Sequence, residues 1–595
     1  MSPVKSSASK QKEGNSLPLN RWQASLPIML FSAAILLFAS YLHRNDLFTL
    51  ATSSAASSGA AVADIIDTGY ARYLGNRSYP NTVAYLGVPY AEPPLGERRF
   101  RAPLPLDTAR VALENKGKVI DATNYPDFCI QGTTGSGDAG GAGSEDCLKV
   151  NIYAPVGAKK GMPVLVYIHG GGMSTQNLPC LFLTYFSTGY IYGNPANWPF
   201  DHWINQSPNV VVVSVYYRLS SFGFLATPAF SSPTNGDLNA GFLDQIQALK
   251  WVQANIASFG GDPKRVTING ESAGGSSVEL HLVANEGEKL FSAAIAQSVY
   301  RTPLPTPAQQ EALFNFYANH TGCASGPVAA QLACLRRASV SALAMAQDAA
   351  YYDASIGGGY NLFHPVIDGK VLIDFPTKSI LNGKFAKVPL IVGATTNETL
   401  SGGDDVPSAL KSFFPSITDA DINALLNAYP LSDFASSADL QFQTLTGDSE
   451  LRCARSLMAT AFGKAVGKSW TYRYNQATPG APEVYHASEN WMMFRGTSTG
   501  FNGSTTFQPQ NPTEKAFAQE LIAYWLSFVR SGDPNKFKLS RSPQWTPFTS
   551  KSSRIVLTQG PGNSTTVSGS AVELESSTEA ARCELVASQV QAQQN

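Results

Sequence analysis

The chain has 595 residues, 44% of them hydrophobic and 31 of them Phe, enough to fill a large core. Its net charge is −1 with no long run of one sign, which argues against nucleic acid or an anionic surface as partner. No internal repeat is visible and no Cys/His cluster has metal-ligand spacing, so no metal and no other cofactor is expected.

Residues 1–21 form a polar tail carrying Lys5, Lys10, Lys12 and Arg21. Residues 22–45 follow and are almost wholly apolar from Leu26 to Leu42, at the short limit of a spanning helix and slightly long for a signal peptide. The basic residues before the run favour a cytoplasmic N-terminus. No small-residue pair closes the run, so a signal anchor is preferred; a cleaved signal, cut near Thr49-Leu50-Ala51, is the alternative. Either way the following domain leaves the cytosol. Residues 46–66 read as a Ser/Ala-rich linker, 67–585 as the main domain and 586–595 as a polar C-terminal tail.

Met162 to Ile168 is an apolar run of strand length, followed by His169-Gly170-Gly171-Gly172. Consecutive glycines after a strand let backbone N–H groups face a cavity unobstructed, as an oxyanion hole requires. Arg265 to Asn269 alternates and is rich in β-branched residues, so it reads as a strand, and Ala273 to Val283 reads as a helix. Between them lies Gly270-Glu271-Ser272-Ala273-Gly274. A serine on a sharp strand-to-helix turn, with glycines two residues to either side, has the form of a nucleophile elbow. Together the two motifs specify acyl transfer, with Ser272 attacking and Gly171, Gly172 and Ala273 supplying N–H donors.

The acid should follow Ser272 in the chain, and the base should follow the acid. His281 lies nine residues along the same helix, about 13 Å away at ~1.5 Å per residue. His320 sits in the glycosylation acceptor Asn319-His320-Thr321, and His364 looks structural. His486, in a polar loop, remains as the base. Val388 to Gly393 reads as a strand, and Glu398 just beyond it is the candidate acid; Asp404 and Asp405 are its nearest rivals, in a turn expected to face solvent.

Further motifs extend this pattern through most of the chain. They include Tyr85-Leu86-Gly87-Val88-Pro89-Tyr90-Ala91-Glu92-Pro93-Pro94, Ser144-Glu145-Asp146-Cys147-Leu148 and Asn239-Ala240-Gly241-Phe242-Leu243-Asp244-Gln245. Phe259-Gly260-Gly261-Asp262-Pro263 and Gly532-Asp533-Pro534-Asn535 follow. From about residue 67 to 585 the chain resembles the type-B carboxylesterases and lipases, a group that includes fungal lipases, carboxylesterases and cholinesterases. The resemblance implies an α/β-hydrolase fold with a mostly parallel twisted sheet flanked by helices, and a catalytic triad of Ser272, Glu398 and His486. It also implies disulfides Cys129–Cys147 and Cys323–Cys334. Cys180, Cys453 and Cys583 remain; a Cys453–Cys583 pair leaving Cys180 free is one assignment, and sequence does not fix it.

Some positions depart from the family pattern. Tyr216-Tyr217-Arg218 lacks the usual Asn, Val299 replaces a Gly, Met173 replaces an aromatic, and Asn397-Glu398-Thr399 stands where Asp-Glu-Gly is common. None removes a catalytic group, so these departures bear on substrate choice. Acceptor sequons at Asn76, Asn205, Asn319, Asn502 and Asn563 fit a secretory route; Asn397 is formally another, but its adjacency to Glu398 should bury it and a glycan there would block the site.

The reading is a serine hydrolase that cleaves short- to medium-chain or aryl carboxylic esters through an acyl-enzyme on Ser272, membrane-anchored or secreted. Two alternatives remain: a triacylglycerol or sterol-ester lipase, and a non-catalytic adhesion homologue, which would generally lack a triad member. The loop between Cys129 and Cys147 is Gly-rich and without aromatics, unlike a lipase flap or a choline-binding loop. Leu181 to Ile204 looks like an insertion whose Phe182, Tyr185, Phe186, Tyr190, Tyr192, Trp198, Phe200 and Trp203 could wall an alcohol site or pack onto the body.

Overall fold

The computed structural model describes residues 64–131, 143–171, 189–285, 289–351, 353, 356, 360, 362–398, 403–499, 505–548 and 552–595. A small sheet joins β1 (Ile65–Asp67), β2 (Arg72–Gly75) and β4 (Val119–Ala122). The large sheet is built from β3 (Thr82–Pro89), β5 (Lys149–Pro155), β6 (Met162–Ile168), β7 (Val211–Val215) and β8 (Gly261–Glu271), then β9 (Ala293–Gln297), β10 (Leu390–Thr395), β11 (Ser469–Tyr474), β14 (Ser553–Leu557) and β15 (Ala571–Leu574). A short ribbon pairs β12 (Thr497–Thr499) with β13 (Thr505–Phe507).

The spatial order of the large sheet is β15-β14-β11-β10-β9-β8-β6-β7-β5-β3. Every pairing from β7 through β14 is parallel, while β5 on one side and β15 on the other run antiparallel to their neighbours. Parallel strands must be covered on both faces, and every residue of β6, β7 and β10 is buried. Alternation along β6 sends Val164, Val166 and Ile168 into the core of one face, and Leu165 and Tyr167 into the other. Helices Ala240–Asn255 and Ala273–Val283 supply Phe242, Leu249, Val278 and Leu280 to the first face. Helix Pro512–Ser531 covers the second with Phe517, Leu521, Trp525 and Phe528. Its ends are written in the sequence: Asn511 and Glu514 form a capping box, Pro512 opens the first turn, and Gly532 closes the helix at φ 68°. This is the α/β-hydrolase fold.

Both disulfides implied by the resemblance are formed, Cys129–Cys147 and Cys323–Cys334. A third, Cys453–Cys583, joins helix Cys453–Val466 to helix Ser577–Ser588 beneath an apolar cluster that includes Leu410, Leu425 and Val586. Cys180 lies outside the described residues. Three disulfides belong to an oxidising, extracytoplasmic compartment.

The chain ends differ from the expected boundaries. Strand β1 begins at Ile65, inside the stretch read as linker. Residues 586–595 are not a free tail: Ser577–Ser588 and Val590–Gln593 are helices, and Gln593 and Asn595 are buried. Their amides serve interior donors, Gln593 accepting from Arg301 at 2.7 Å and Asn595 from the Thr377 hydroxyl at 2.8 Å. Polar composition there marks buried hydrogen bonding, which an amide provides without charge. The apolar 22–45 segment lies outside the described residues; among those described, no helix is long and apolar enough to cross a membrane.

Cys453 and Cys583 are separated by 130 residues, so their bond removes much freedom from the unfolded chain. Chain-entropy scaling puts that at about 5 kcal/mol. The paired variant Cys453→Ser/Cys583→Ser should therefore unfold at a clearly lower temperature by calorimetry. An unchanged midpoint would show that the bond contributes nothing to stability.

Candidate active site

Strand β8 ends at Glu271, and helix Ala273–Val283 starts one residue later, leaving Ser272 alone in the turn at φ 60°, ψ −124°. Such a backbone costs a non-glycine residue about 1–3 kcal/mol and persists only where its surroundings impose it. Here Ser272 N–H donates to the Gln297 carbonyl at 3.0 Å, and the Ser272 carbonyl accepts from Ser276 N–H at 2.9 Å. The flanking glycines allow the turn to close. A Cβ on Gly270 would fall on the Gly274 carbonyl, and one on Gly274 would fall on the Ile168 carbonyl of β6.

The glycine loop after β6 lies against this turn. A Cβ on Gly170 would strike the Glu271 carbonyl, and Gly171, at φ 143°, passes the Tyr192 carbonyl with no room for a side chain. His169 anchors the loop. Its ring stacks on Tyr217 at 4.5 Å and on Trp198 at 5.9 Å, and its carbonyl accepts from the Tyr217 hydroxyl at 2.7 Å. Burial lowers the His169 pKa to about 4, so the ring is a neutral packing element. Ala273 opens its helix, where first-turn N–H groups have no partner within the helix. Gly172, the third expected donor, lies outside the described residues, as does Met173.

His486 arrives from the loop after β11, next to Ala487 at φ 64°. Its Nε2 is 2.8 Å from Ser272 Oγ and its Nδ1 is 2.6 Å from Glu398 Oε2. An ionised carboxylate only accepts, so Nδ1 carries a proton, and in the neutral imidazole Nε2 is left to accept from the serine hydroxyl. Glu398 follows β10 and is fully buried; its other oxygen accepts from Thr395 N–H at 2.6 Å and from the Ser298 hydroxyl. The structure thus brings Ser272, His486 and Glu398 into one hydrogen-bonded line.

Two more glutamates close round the imidazole. Glu271 Oε1 is 3.3 Å from His486 Nε2, and its other oxygen accepts from Asn490 at 2.9 Å. Glu489 accepts from the Tyr472 hydroxyl at 3.1 Å. Burial would raise Glu398, but the His486 charge and hydrogen bonds from His486, Ser298 and Thr395 hold its pKa below the ordinary value. Burial, together with neighbouring carboxylates, pushes Glu271 up to about 8 and Glu489 to about 7. For His486 burial pulls down, yet Glu398 and then Glu271 outweigh it and hold the imidazole up at about 9. One ionised carboxylate thus serves the imidazole while its neighbours favour their protonated forms.

The rival residues sit elsewhere. His281 is buried in its helix against Gln245, His364 is buried with Nδ1 at the Pro365 carbonyl, and His320 is exposed and stacked on Phe316. Asp404 and Asp405 are exposed, and Asp405 caps helix Val406–Phe413 through Ser408 N–H. Sequence reasoning did not single out Ser298, Glu489 or a role for Glu271. Their only local signals were Gln297-Ser298-Val299, the spacing His486-Ala487-Ser488-Glu489, and the residue before the elbow serine.

The insertion aromatics are placed mainly as core. Tyr190, Trp198, Phe200 and Trp203 are buried. Phe200 packs edge-on to Tyr167, Trp203 and Phe494, and Trp203 stacks on Phe494, behind the sheet. Phe182, Tyr185 and Phe186 lie outside the described residues. The near end of the insertion does meet the site, since a Cβ on Gly189 would press on Ala273.

The sequence profile of the carboxylesterase family matches residues 63–585. Acetylcholinesterase of Bungarus fasciatus is 28% identical over 521 residues, covering 80% of this chain and 78% of the relative. Fumonisin B1 esterase of Sphingopyxis macrogoltabida is 31% identical over 478 residues, 78% of this chain and 81% of that protein. The crystal structure of EstA from Aspergillus niger superposes with a TM-score of 0.73 at 28% identity, covering 89% of this chain and 99% of EstA. By its sheet order, its serine turn and these likenesses, the chain belongs to the carboxylesterase family and is a serine hydrolase of carboxylic esters.

Proposed function

We propose that Ser272, His486 and Glu398 are the catalytic triad, with the oxyanion held by the N–H groups of Gly171, Gly172 and Ala273. The observation that carries this reading is the unbroken line from Ser272 Oγ through His486 to Glu398, starting at a strained turn. As Ser272 Oγ bonds to the ester carbonyl carbon, His486 Nε2 takes its proton. The carbonyl oxygen becomes an alkoxide facing the N–H donors. His486 then gives its proton to the alcohol oxygen as that bond breaks, leaving an acyl-serine. Water, deprotonated by the same nitrogen, attacks the acyl carbon; the acid leaves and Ser272 regains its proton. Glu398 keeps Nδ1–H oriented and offsets the imidazolium charge throughout.

The substrate class follows from the walls. The Cys129–Cys147 loop lacks aromatics, and much of the nearby insertion's aromatic content is committed to packing. The enzyme is accordingly an esterase of short to medium acyl chains or aryl esters, without interfacial activation. Relatives' names include an acetylcholinesterase, but no aromatic in this loop offers a face to a quaternary ammonium, so acetylcholine turnover should be negligible.

With p-nitrophenyl esters of graded acyl length, turnover should peak at short to medium chains. Ser272→Ala should abolish it without loss of fold, and Glu398→Gln should lower it by orders of magnitude, as triad members act as a unit. Normal turnover by Ser272→Ala would end the triad assignment. A rate jump as a long-chain triglyceride passes its solubility limit would favour a lipase.

The pH profile carries a second expectation. Protonated Nε2 cannot take the serine proton, so kcat/KM should fall as pH drops through the His486 pKa. Because neighbouring carboxylates raise that pKa, the acid-limb midpoint should lie above the ordinary imidazole value of ~6.5. Glu271 contributes to that rise only in its ionised form, and Glu271→Gln, which cannot ionise, should move the midpoint down. A midpoint unmoved by that change would mean Glu271 is protonated throughout catalysis.

Residues 22–45 act as a signal anchor in this reading, with the catalytic domain on the extracytoplasmic side. Sequons Asn205, Asn319 and Asn563 are exposed, as glycan attachment requires. The enzyme should then resist carbonate extraction from membranes and keep Met1 or Ser2 at its N-terminus. A secreted form starting near residue 52 would instead establish a cleaved signal.

A further inference from the structure

The acid and the base of the proposed triad stand on separate loops, and the 2.6 Å bond between Glu398 and His486 requires those loops to stay in register. A set of hydrogen bonds fixes the acid loop at Thr396, whose hydroxyl also faces the Tyr474 carbonyl and Asn475 Oδ1. The Thr396 N–H donates to the Tyr474 carbonyl at 3.0 Å, its carbonyl accepts from Arg452 at 2.7 Å, and its hydroxyl accepts from Arg473 at 3.0 Å. Arg452 lies on a π-helical turn, Asp448–Arg452, and is paired there with Asp448 at 2.7 Å. These bonds hold the acid loop to its own end of the sheet and leave the base loop to be joined.

Asn397 makes the join. Its N–H donates to the Val484 carbonyl at 3.1 Å, and its side-chain Oδ1 accepts from Val484 N–H at 3.2 Å. Asn397 and Tyr485 form an isolated parallel bridge, one residue from Glu398 on one side and one from His486 on the other. On the base loop, Ser488 then closes the turn by donating twice to the Tyr485 carbonyl, from N–H at 3.2 Å and from Oγ at 2.6 Å.

We propose that Asn397 is a positioning residue whose side-chain amide oxygen clamps the acid loop to the base loop, and that its half-buried sequon stays unglycosylated. The inference rests on the triad reading for its catalytic consequence, but the clamp itself is independent of it. The residue type fits the surroundings. Glu271, Glu398 and Glu489 already crowd His486, so an aspartate here would offer the same acceptor while adding another carboxylate to the cluster. Asparagine accepts the Val484 N–H without that charge. Asn397-Glu398-Thr399 matches the acceptor pattern, but a glycan on Nδ2 would have to fit at a half-buried side chain one residue from Glu398, held against the base loop through its Oδ1.

The test uses the full-length glycoprotein and three readouts. The first is the strongly downfield proton of His486 Nδ1–H, which reports the bond to Glu398 whether or not Ser272 is the nucleophile. Asn397→Ala should broaden or remove that signal, and Asn397→Asp should retain it. The second is kinetic. Asn397→Ala should lower kcat roughly 10–100-fold with little change in KM, the effect expected of a small misplacement of the base. Asn397→Asp should recover most of kcat at high pH, with its acid limb moved upward by the added charge. The third is mass spectrometry of the peptide spanning residues 388–411, where Asn397 should be unmodified. An unaltered downfield proton in Asn397→Ala would overturn the clamp, and a glycan on Asn397 in active enzyme would overturn the sequon assignment. Loss of the proton in that variant, with Ser272→Ala still active, would support the clamp and refute the triad.

Discussion

The structure depends on how closely the Ser272 turn is pressed between β6 and its own helix. Three peptide planes meet there: the Ile168 carbonyl against Gly274, the Gly274 carbonyl against Gly270, and the Glu271 carbonyl against Gly170. Each approach is too close for a Cβ, which is why glycines recur on both sides. The closure forces Ser272 into a positive φ, and the bonds to Gln297 and Ser276 hold it there. Because the parallel core of the sheet is buried on both faces, the turn rests on a foundation that cannot easily relax. Strain at one residue is thereby converted into a fixed direction for one hydroxyl.

The second governing feature is electrostatic. A buried imidazole facing several carboxylates cannot support them all ionised. The one given the most donors stays charged: Glu398, with His486, Ser298 and Thr395 around it. Glu271 and Glu489 each keep a single short neutral partner, Asn490 and Tyr472, and their pKa values rise. The charge of His486 and these donors together offset the desolvation that burial imposes on Glu398.

Three central strands, the serine turn and the glycine loop were legible because each has a local signature: apolar runs of strand length and closely spaced glycines. The candidate acid and base came from chain order and elimination, and they lie within hydrogen-bond reach of Ser272. What sequence could not show were contacts made only in three dimensions. Ser298 reaches Glu398 across one hundred positions, and Asn397 reaches Val484 across eighty-seven. Polarity misled at the C-terminus, where Gln593 and Asn595 are buried because amides answer Arg301 and Thr377. Aromatic content in the insertion left a site wall and packing onto the body both open, and Phe200 and Trp203 take the second course on the far face of the sheet.

The central claim is that this turn presents Ser272, among all the serines of the chain, as an activated nucleophile. Labelling the folded enzyme with an alkyl fluorophosphonate and mapping the modified peptide tests it most directly. The account predicts a single adduct, on Ser272, that is lost on denaturation before labelling. An adduct on another residue, or none on folded and otherwise active enzyme, would contradict it.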